Sequence, residues 1–84
     1  MTSSREAITA ELMDVLRYIR GKDAPEPKLD MHLIKDLKLL SDEASELIWM
    51  MENRTGIKAP SKEWRNVGTG KEVVDLLLRY APQT

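Results

Sequence analysis

The sequence predicts an all-α protein in which four helices form one bundle, with a long first loop and a short third helix. Apolar residues recur every three or four positions in three separate stretches, which is the period of an amphipathic helix. Signals for helix starts and helix ends flank these stretches. A chain of 84 residues has room for one hydrophobic core, so residues 1–84 are predicted to form a single domain.

The first helix is predicted between Ser3 and Gly21. Ser3 and Glu6 match a capping box, in which each side chain accepts a hydrogen bond from a backbone N–H at the helix start. Gly21 tolerates the left-handed conformation that ends many helices. The apolar stripe between these signals consists of Ile8, Leu12, Val15, Leu16 and Ile19.

Residues 22–40 are predicted to form the long first loop. Pro25 and Pro27 prevent a continuous helix there, because proline lacks the backbone N–H and restricts the residue before it. The segment is nevertheless too apolar for a solvated linker, since it contains Leu29, Met31, Leu33, Ile34, Leu37, Leu39 and Leu40. We expect it to lie across the helices and contribute to the core, with a helical turn near residues 31–36.

The second helix is predicted over residues 42–55. Ser41 is assigned to its N-cap position, and Asp42 and Glu43 suit the positive end of the helix dipole. Gly56 is predicted to end the helix. The residues expected to face inward are Ala44, Leu47, Ile48 and Met51.

The last two helices are predicted from their start signals. Pro60 and Ser61 begin a brief third helix, and Thr69 with Glu72 forms a second capping box at the start of the fourth. Pro82 is expected to end the fourth helix. Its predicted inward residues are Val73, Val74, Leu77 and Tyr80.

Composition excludes several classes of function. The chain has no cysteine, so it forms neither a disulfide framework nor a thiolate metal site. His32 is the only histidine, which excludes a zinc site built on two histidines and leaves little for serine–histidine catalysis. We therefore expect no metal site, no catalytic residue and no enzymatic activity.

Hydropathy favours a cytoplasmic protein without a membrane partner. The first residues contain no apolar segment of the kind found in secretory signals. No apolar run approaches the ~20 residues that a membrane-spanning helix needs.

Charge is balanced over the whole chain but not along it. The net charge is −1, yet residues 41–56 hold four acidic side chains against Arg54 alone, which gives −3. These acidic residues are Asp42, Glu43, Glu46 and Glu52. They predict a surface that repels nucleic-acid phosphates and attracts basic proteins. A small helical DNA-binding domain is disfavoured, because no basic recognition helix is visible.

Several short motifs share one register. Asp36 and Leu37 precede Ser41 by five and four residues, and no gap is needed from Asp36 to Pro60. The further matching residues are Glu46, Leu47, Ile48, Glu52, Gly56, Ile57, Pro60, Asn66, Val67, Val73, Val74, Asp75 and Leu76. In this register the sequence resembles the acyl carrier protein family, which implies an acyl-carrier-like four-helix fold.

The resemblance implies that Ser41 carries a covalent 4′-phosphopantetheine arm, which makes the chain a phosphoprotein. The arm would present a thioester-bound acyl or aminoacyl intermediate, as in fatty acid or polyketide biosynthesis. The implied partners of this monomer are a pantetheinyl transferase and acyl-processing enzymes with basic docking surfaces. Those enzymes would bind the acidic second helix through Asp42, Glu43, Glu46 and Glu52.

The chain departs from the family around the serine. The family's site reads Asp-Ser-Leu, whereas this chain reads Leu40-Ser41-Asp42, and Lys38 replaces a usual glycine. The alternative is therefore an unmodified acyl-carrier-like interaction module that docks a partner through the acidic second helix. In that interpretation Ser41 acts only as a helix cap.

Overall fold

Four helices account for most of the structure, a computed structural model that describes residues 4–21 and 26–81. They are α1 (Arg5–Arg20), α2 (Ser41–Thr55), α3 (Ser61–Trp64) and α4 (Gly70–Tyr80). Within the described residues there is no strand, only an isolated bridge between His32 and Thr69. The predicted all-α class, the long first loop and the short third helix are confirmed.

The N-cap of helix α1 lies one residue later than predicted. Ser4 is the N-cap, and its Oγ accepts a hydrogen bond from the N–H of Ala7 at 3.1 Å. Ser3, the predicted cap, lies outside the described residues. The predicted end is confirmed, because Gly21 follows the helix with a φ of 82°, which side-chain-bearing residues rarely adopt.

The N-cap of α2 differs from the prediction. Leu40 occupies the cap position and Ser41 is the first helical residue, so the assignment of Ser41 as the cap is wrong. Leucine has no side-chain acceptor, and the first turn is instead stabilised by two carboxylates. Glu43 Oε1 accepts from the N–H of Leu40 at 3.0 Å, and Asp42 Oδ1 accepts from the N–H of Glu43 at 3.1 Å. Gly56 ends α2 in the left-handed region, as predicted.

The described part of the first loop, residues 26–40, contributes to the core as predicted. Its turn at residues 33–37 is closed by a backbone hydrogen bond from Leu37 to His32 at 3.0 Å. Two further backbone bonds join the loop to the start of α4. Leu33 donates to the carbonyl of Gly68 at 2.7 Å, and Lys71 donates to the carbonyl of Leu29 at 2.8 Å.

Helices α1 and α2 run antiparallel. Arg20, at the end of α1, pairs with Glu43 in the first turn of α2, with Nη1 and Oε1 3.6 Å apart. Glu11, half-way along α1, pairs with Arg54 near the end of α2 at 3.7 Å. The two ion pairs thus mark opposite ends of one interface. No described helix combines the length and the apolar character that crossing a membrane requires.

One hydrophobic core joins the long helices and the loop. The predicted core residues that are buried are Leu12, Val15, Leu16, Leu37, Leu47, Met51, Val73, Val74 and Leu77, whereas Ile19 and Ile48 are partly buried at its edge. The core also includes Ile8, Leu33, Leu39, Ile57, Trp64 and Leu76. Tyr80, predicted to face inward, is 39% exposed, so that assignment is wrong.

Candidate functional site

Ser41 is exposed at the first position of α2. Among the described residues, none forms a hydrogen bond with its hydroxyl. The capping contacts of this turn come instead from the carboxylates of Asp42 and Glu43. The N–H groups at a helix start carry the positive end of the helix dipole. The hydroxyl is therefore accessible at a position that favours an attached or bound anion.

Glu43 connects the Ser41 position to α1. Its Oε1 accepts from Leu40, the residue directly before Ser41, and lies 3.6 Å from Nη1 of Arg20. Arg20 Nε is buried without a hydrogen-bond partner among the described residues. These contacts hold the backbone at the start of α2 against the end of α1. Glu43 therefore helps to position Ser41 and does not extend freely into solvent.

An apolar cleft lies between α2, α3, α4 and the first loop. Its inner part is a cavity of ≈ 70 Å³ lined by Leu33, Ile34, Ala44, Leu47, Ile48, Trp64, Val67 and Val73. A more open groove of ≈ 320 Å³ shares Ala44, Ile48 and Trp64 with it and is completed by Ser61 and Arg65. The two together form one apolar depression, here called the α2–α3 cleft.

Ser41 lies on the face of α2 that lines this cleft. Ala44 follows Ser41 by three residues and Ile48 follows Ala44 by four, so the three lie along one side of the helix. Beside them, Ile34 and Leu40 are 50% and 64% exposed. Ser41 is thus one helical turn before Ala44, which lines the cleft, but does not itself line it.

The four predicted docking carboxylates fall into two pairs. Asp42 and Glu46 are exposed and form no ion pair within the described part of the chain. Glu43 is engaged with Arg20. Glu52 accepts hydrogen bonds from the N–H of Ala59 at 3.1 Å and from Nε1 of Trp64 at 3.2 Å, which joins α3 to α2. Docking by these residues remains a prediction, and Asp42 and Glu46 are the two free to take part.

Trp49 is a surface residue of this helix. Its side chain is 67% exposed, and it lies on the solvent-facing side of α2 with Glu46. The helical spacing of Trp49 relative to the inward residues Leu47 and Met51 already indicates a position off the buried stripe.

His32 and Glu72 have structural roles at the contact between the loop and α4. His32 Nδ1 accepts from the N–H groups of Ile34 and Lys35, both at 3.1 Å. Glu72 Oε1 accepts from the N–H groups of Thr69 at 2.9 Å and Gly68 at 2.8 Å, and these bonds hold the pKa of Glu72 below its ordinary value. Thr69 Oγ1 accepts from the N–H of Glu72 at 3.2 Å, which confirms the predicted capping box.

The described residues contain no group of three or more histidine, cysteine or acidic side chains arranged to hold a metal ion. No model of a known protein family matches the sequence, and no curated protein matches it. The acyl-carrier resemblance therefore remains a prediction.

Proposed function

We propose that this protein carries an acyl or aminoacyl group as a thioester on a 4′-phosphopantetheine arm attached to Ser41 Oγ. The observation that carries the proposal is the position of Ser41. The residue is exposed, its hydroxyl takes no part in capping α2, and it lies one helical turn before Ala44, which lines the α2–α3 cleft. The register shared with acyl carrier proteins from Asp36 to Pro60 supports the same assignment.

The attachment requires only a nucleophilic hydroxyl from this chain. A transferase supplies the base that removes the hydroxyl proton, and coenzyme A supplies the arm. A bond forms between Ser41 Oγ and the phosphorus next to pantetheine, while the bond from that phosphorus to adenosine bisphosphate breaks. The product is a phosphodiester at a helix start, where the dipole favours negative charge and the neighbouring carboxylates of Asp42 and Glu43 oppose it.

The α2–α3 cleft supports a cargo with an apolar part. The lining of its inner part is contributed by leucine, isoleucine, valine, alanine and tryptophan side chains. Each methylene group moved from water into such surroundings gains about 0.8 kcal/mol. The protein performs no bond chemistry on the cargo and instead raises its effective concentration for enzymes that bind the carrier.

Intact-mass measurement tests the proposal. We expect one added phosphopantetheine after incubation with coenzyme A, magnesium and a broad-specificity pantetheinyl transferase, and no addition to the Ser41→Ala variant. Ser45 is the matched control, because its hydroxyl donates to the carbonyl of Ser41 at 3.3 Å. Addition that persists in Ser41→Ala and disappears in Ser45→Ala would show that the register is wrong.

A second candidate is an unmodified interaction module. It is favoured by the exposed side of α2, where Asp42 and Glu46 have no described cationic partner and Trp49 is open to solvent. The altered neighbours of the serine, Leu40 and Asp42, favour it as well. Absence of any mass gain, including with a transferase from the source organism, would select this candidate.

A further inference from the structure

The surroundings of Trp49 on α2 differ from those of an isolated surface tryptophan. On a helix its nearest neighbours are three and four residues away, at Ser45, Glu46, Glu52 and Asn53. Ser45 donates to the carbonyl of Ser41, and Asn53 donates to the carbonyl of Trp49 at 2.7 Å. Glu52 is engaged with Trp64. Only Glu46 offers an exposed charged group beside the indole without a described partner.

We propose that Trp49 and Glu46 together recognise an arginine side chain on a basic partner protein. The proposal deepens the docking role of α2 that the carrier and the interaction module share, and it rests on that role. The guanidinium group would stack on the exposed indole face while its N–H groups bond to the carboxylate of Glu46. Asp42, two helical turns before Trp49, extends the negative surface toward Ser41.

Charge complementarity favours a cationic partner for this surface. Residues 41–56 carry a charge of −3, and among the described residues only Glu43 of their four acidic side chains has a cationic partner. An exposed ion pair alone contributes little, typically below about 1 kcal/mol. An indole adds attraction for a cation and a large apolar area, and tryptophan is enriched among the residues that dominate protein interfaces.

Arginine fits this pair of groups better than lysine does. The guanidinium is planar, so one group can lie flat on the indole and still direct N–H donors at a neighbouring carboxylate. The lysine ammonium is a compact, strongly hydrated charge, which loses more on leaving water and cannot stack. The proposal therefore predicts a preference between two partners of equal charge.

Tyr18 provides a matched control on α1. It is 69% exposed, about the same as Trp49. Its helical neighbour Asp14 is already paired with Arg17, with Oδ1 and Nη1 3.4 Å apart. An exposed aromatic ring is thus present at both places, but among the described residues only Trp49 has an unpaired carboxylate three or four positions away on its helix.

The test measures binding of two fluorescein-labelled peptides, hexa-arginine and hexa-lysine, by anisotropy at low salt. We expect hexa-arginine to bind the protein about threefold more tightly than hexa-lysine. Trp49→Leu should remove that preference, and Tyr18→Leu should keep it. Glu46→Gln should weaken the binding of both peptides. Failure of hexa-arginine to bind, equal binding of both peptides, or an equal loss in Tyr18→Leu would overturn the proposal.

Two controls distinguish failure of this proposal from failure of the carrier proposal and from misfolding of a variant. All titrations are repeated in the Ser41→Ala background, so an arginine preference there supports the proposal even if no phosphopantetheine is ever attached. In Trp49→Leu the remaining tryptophan is Trp64, which is only 8% exposed. Its emission therefore reports whether the variant is folded before any peptide is added.

Discussion

At the scale of single residues, Ser41 and Thr69 show that two similar start signals have different roles. Both were expected to cap a helix. Thr69 does so, since its Oγ1 accepts from the N–H of Glu72, but the cap of α2 is Leu40 and the first turn is stabilised by Glu43. The hydroxyl of Ser41 is therefore not needed for the stability of α2, which leaves it available for modification.

This difference predicts unequal effects on stability. Ser41→Ala should change the free energy of unfolding by less than about 0.5 kcal/mol, because no described hydrogen bond is lost. Thr69→Ala should lower it by about 1 kcal/mol, because a capping bond is removed. Urea denaturation of the two variants beside the native chain measures both. An equal loss in Ser41→Ala would mean that its hydroxyl does cap α2 in solution.

At the scale of elements, the start of α4 holds the first loop in place. The backbone bonds from Leu33 to Gly68 and from Lys71 to Leu29 cross between them. Gly68 approaches the ring of His32 so closely that an added Cβ would lie 2.9 Å from its Nε2. Glu72 satisfies the N–H groups of Gly68 and Thr69 at this contact. The carboxylate thus stabilises both the helix start and the loop beside it.

The bonds to Glu72 predict a pH dependence of stability. They lower its pKa in the folded protein, first through the N–H of Thr69 and then through that of Gly68. The carboxylate's contribution is therefore complete above the ordinary value of 4.5 and is lost as the pH falls through the lower folded-state pKa.

Glu72→Gln tests this sign. The native chain should be more stable than the variant at neutral pH, and the difference should shrink as the pH falls below 4.5. Urea unfolding at a series of pH values measures it. Asp42→Asn is the control, since Asp42 is exposed at another helix start. A difference for Glu72→Gln that stays constant on acidification would contradict the role given to this carboxylate.

At the scale of the whole molecule, one core connects all the elements that form the site. Leu47 belongs to the core and also lines the α2–α3 cleft, as do Leu33 and Val73. The cleft is therefore continuous with the interior, and its shape depends on the packing of α1 and α4 behind it. Trp64 closes the cleft on the α3 side and is held by its bond to Glu52.

Core packing predicts a large effect for Leu47→Ala. Leu47 is 2% exposed, so truncation should lower the free energy of unfolding by about 2–5 kcal/mol. Ile34→Ala is the matched control, because Ile34 lines the same cleft but is 50% exposed, and its cost should be below about 1 kcal/mol. Thermal and urea unfolding measure both. Similar losses for the two variants would contradict the burial described for α2.

The sequence by itself determined the helices and most of the core. Helix boundaries and inward faces depend on local spacing, capping residues and glycine, which act within one or two turns. This is why Gly21, Gly56 and the Thr69 capping box were predictable. The exposed position of Ser41 near the start of α2 followed from the same local signals.

Only the tertiary structure decided which acidic side chains of α2 are engaged by other helices. Glu43 and Glu52 looked equivalent to Glu46 in the sequence, but Arg20 and Trp64 engage them from other helices. Contacts between residues far apart in the chain depend on how the helices pack, and helical periodicity carries no information about them. The same reason applies to the α2–α3 cleft, whose lining comes from the first loop and three helices, and to the burial of Trp64 while Trp49 stays exposed.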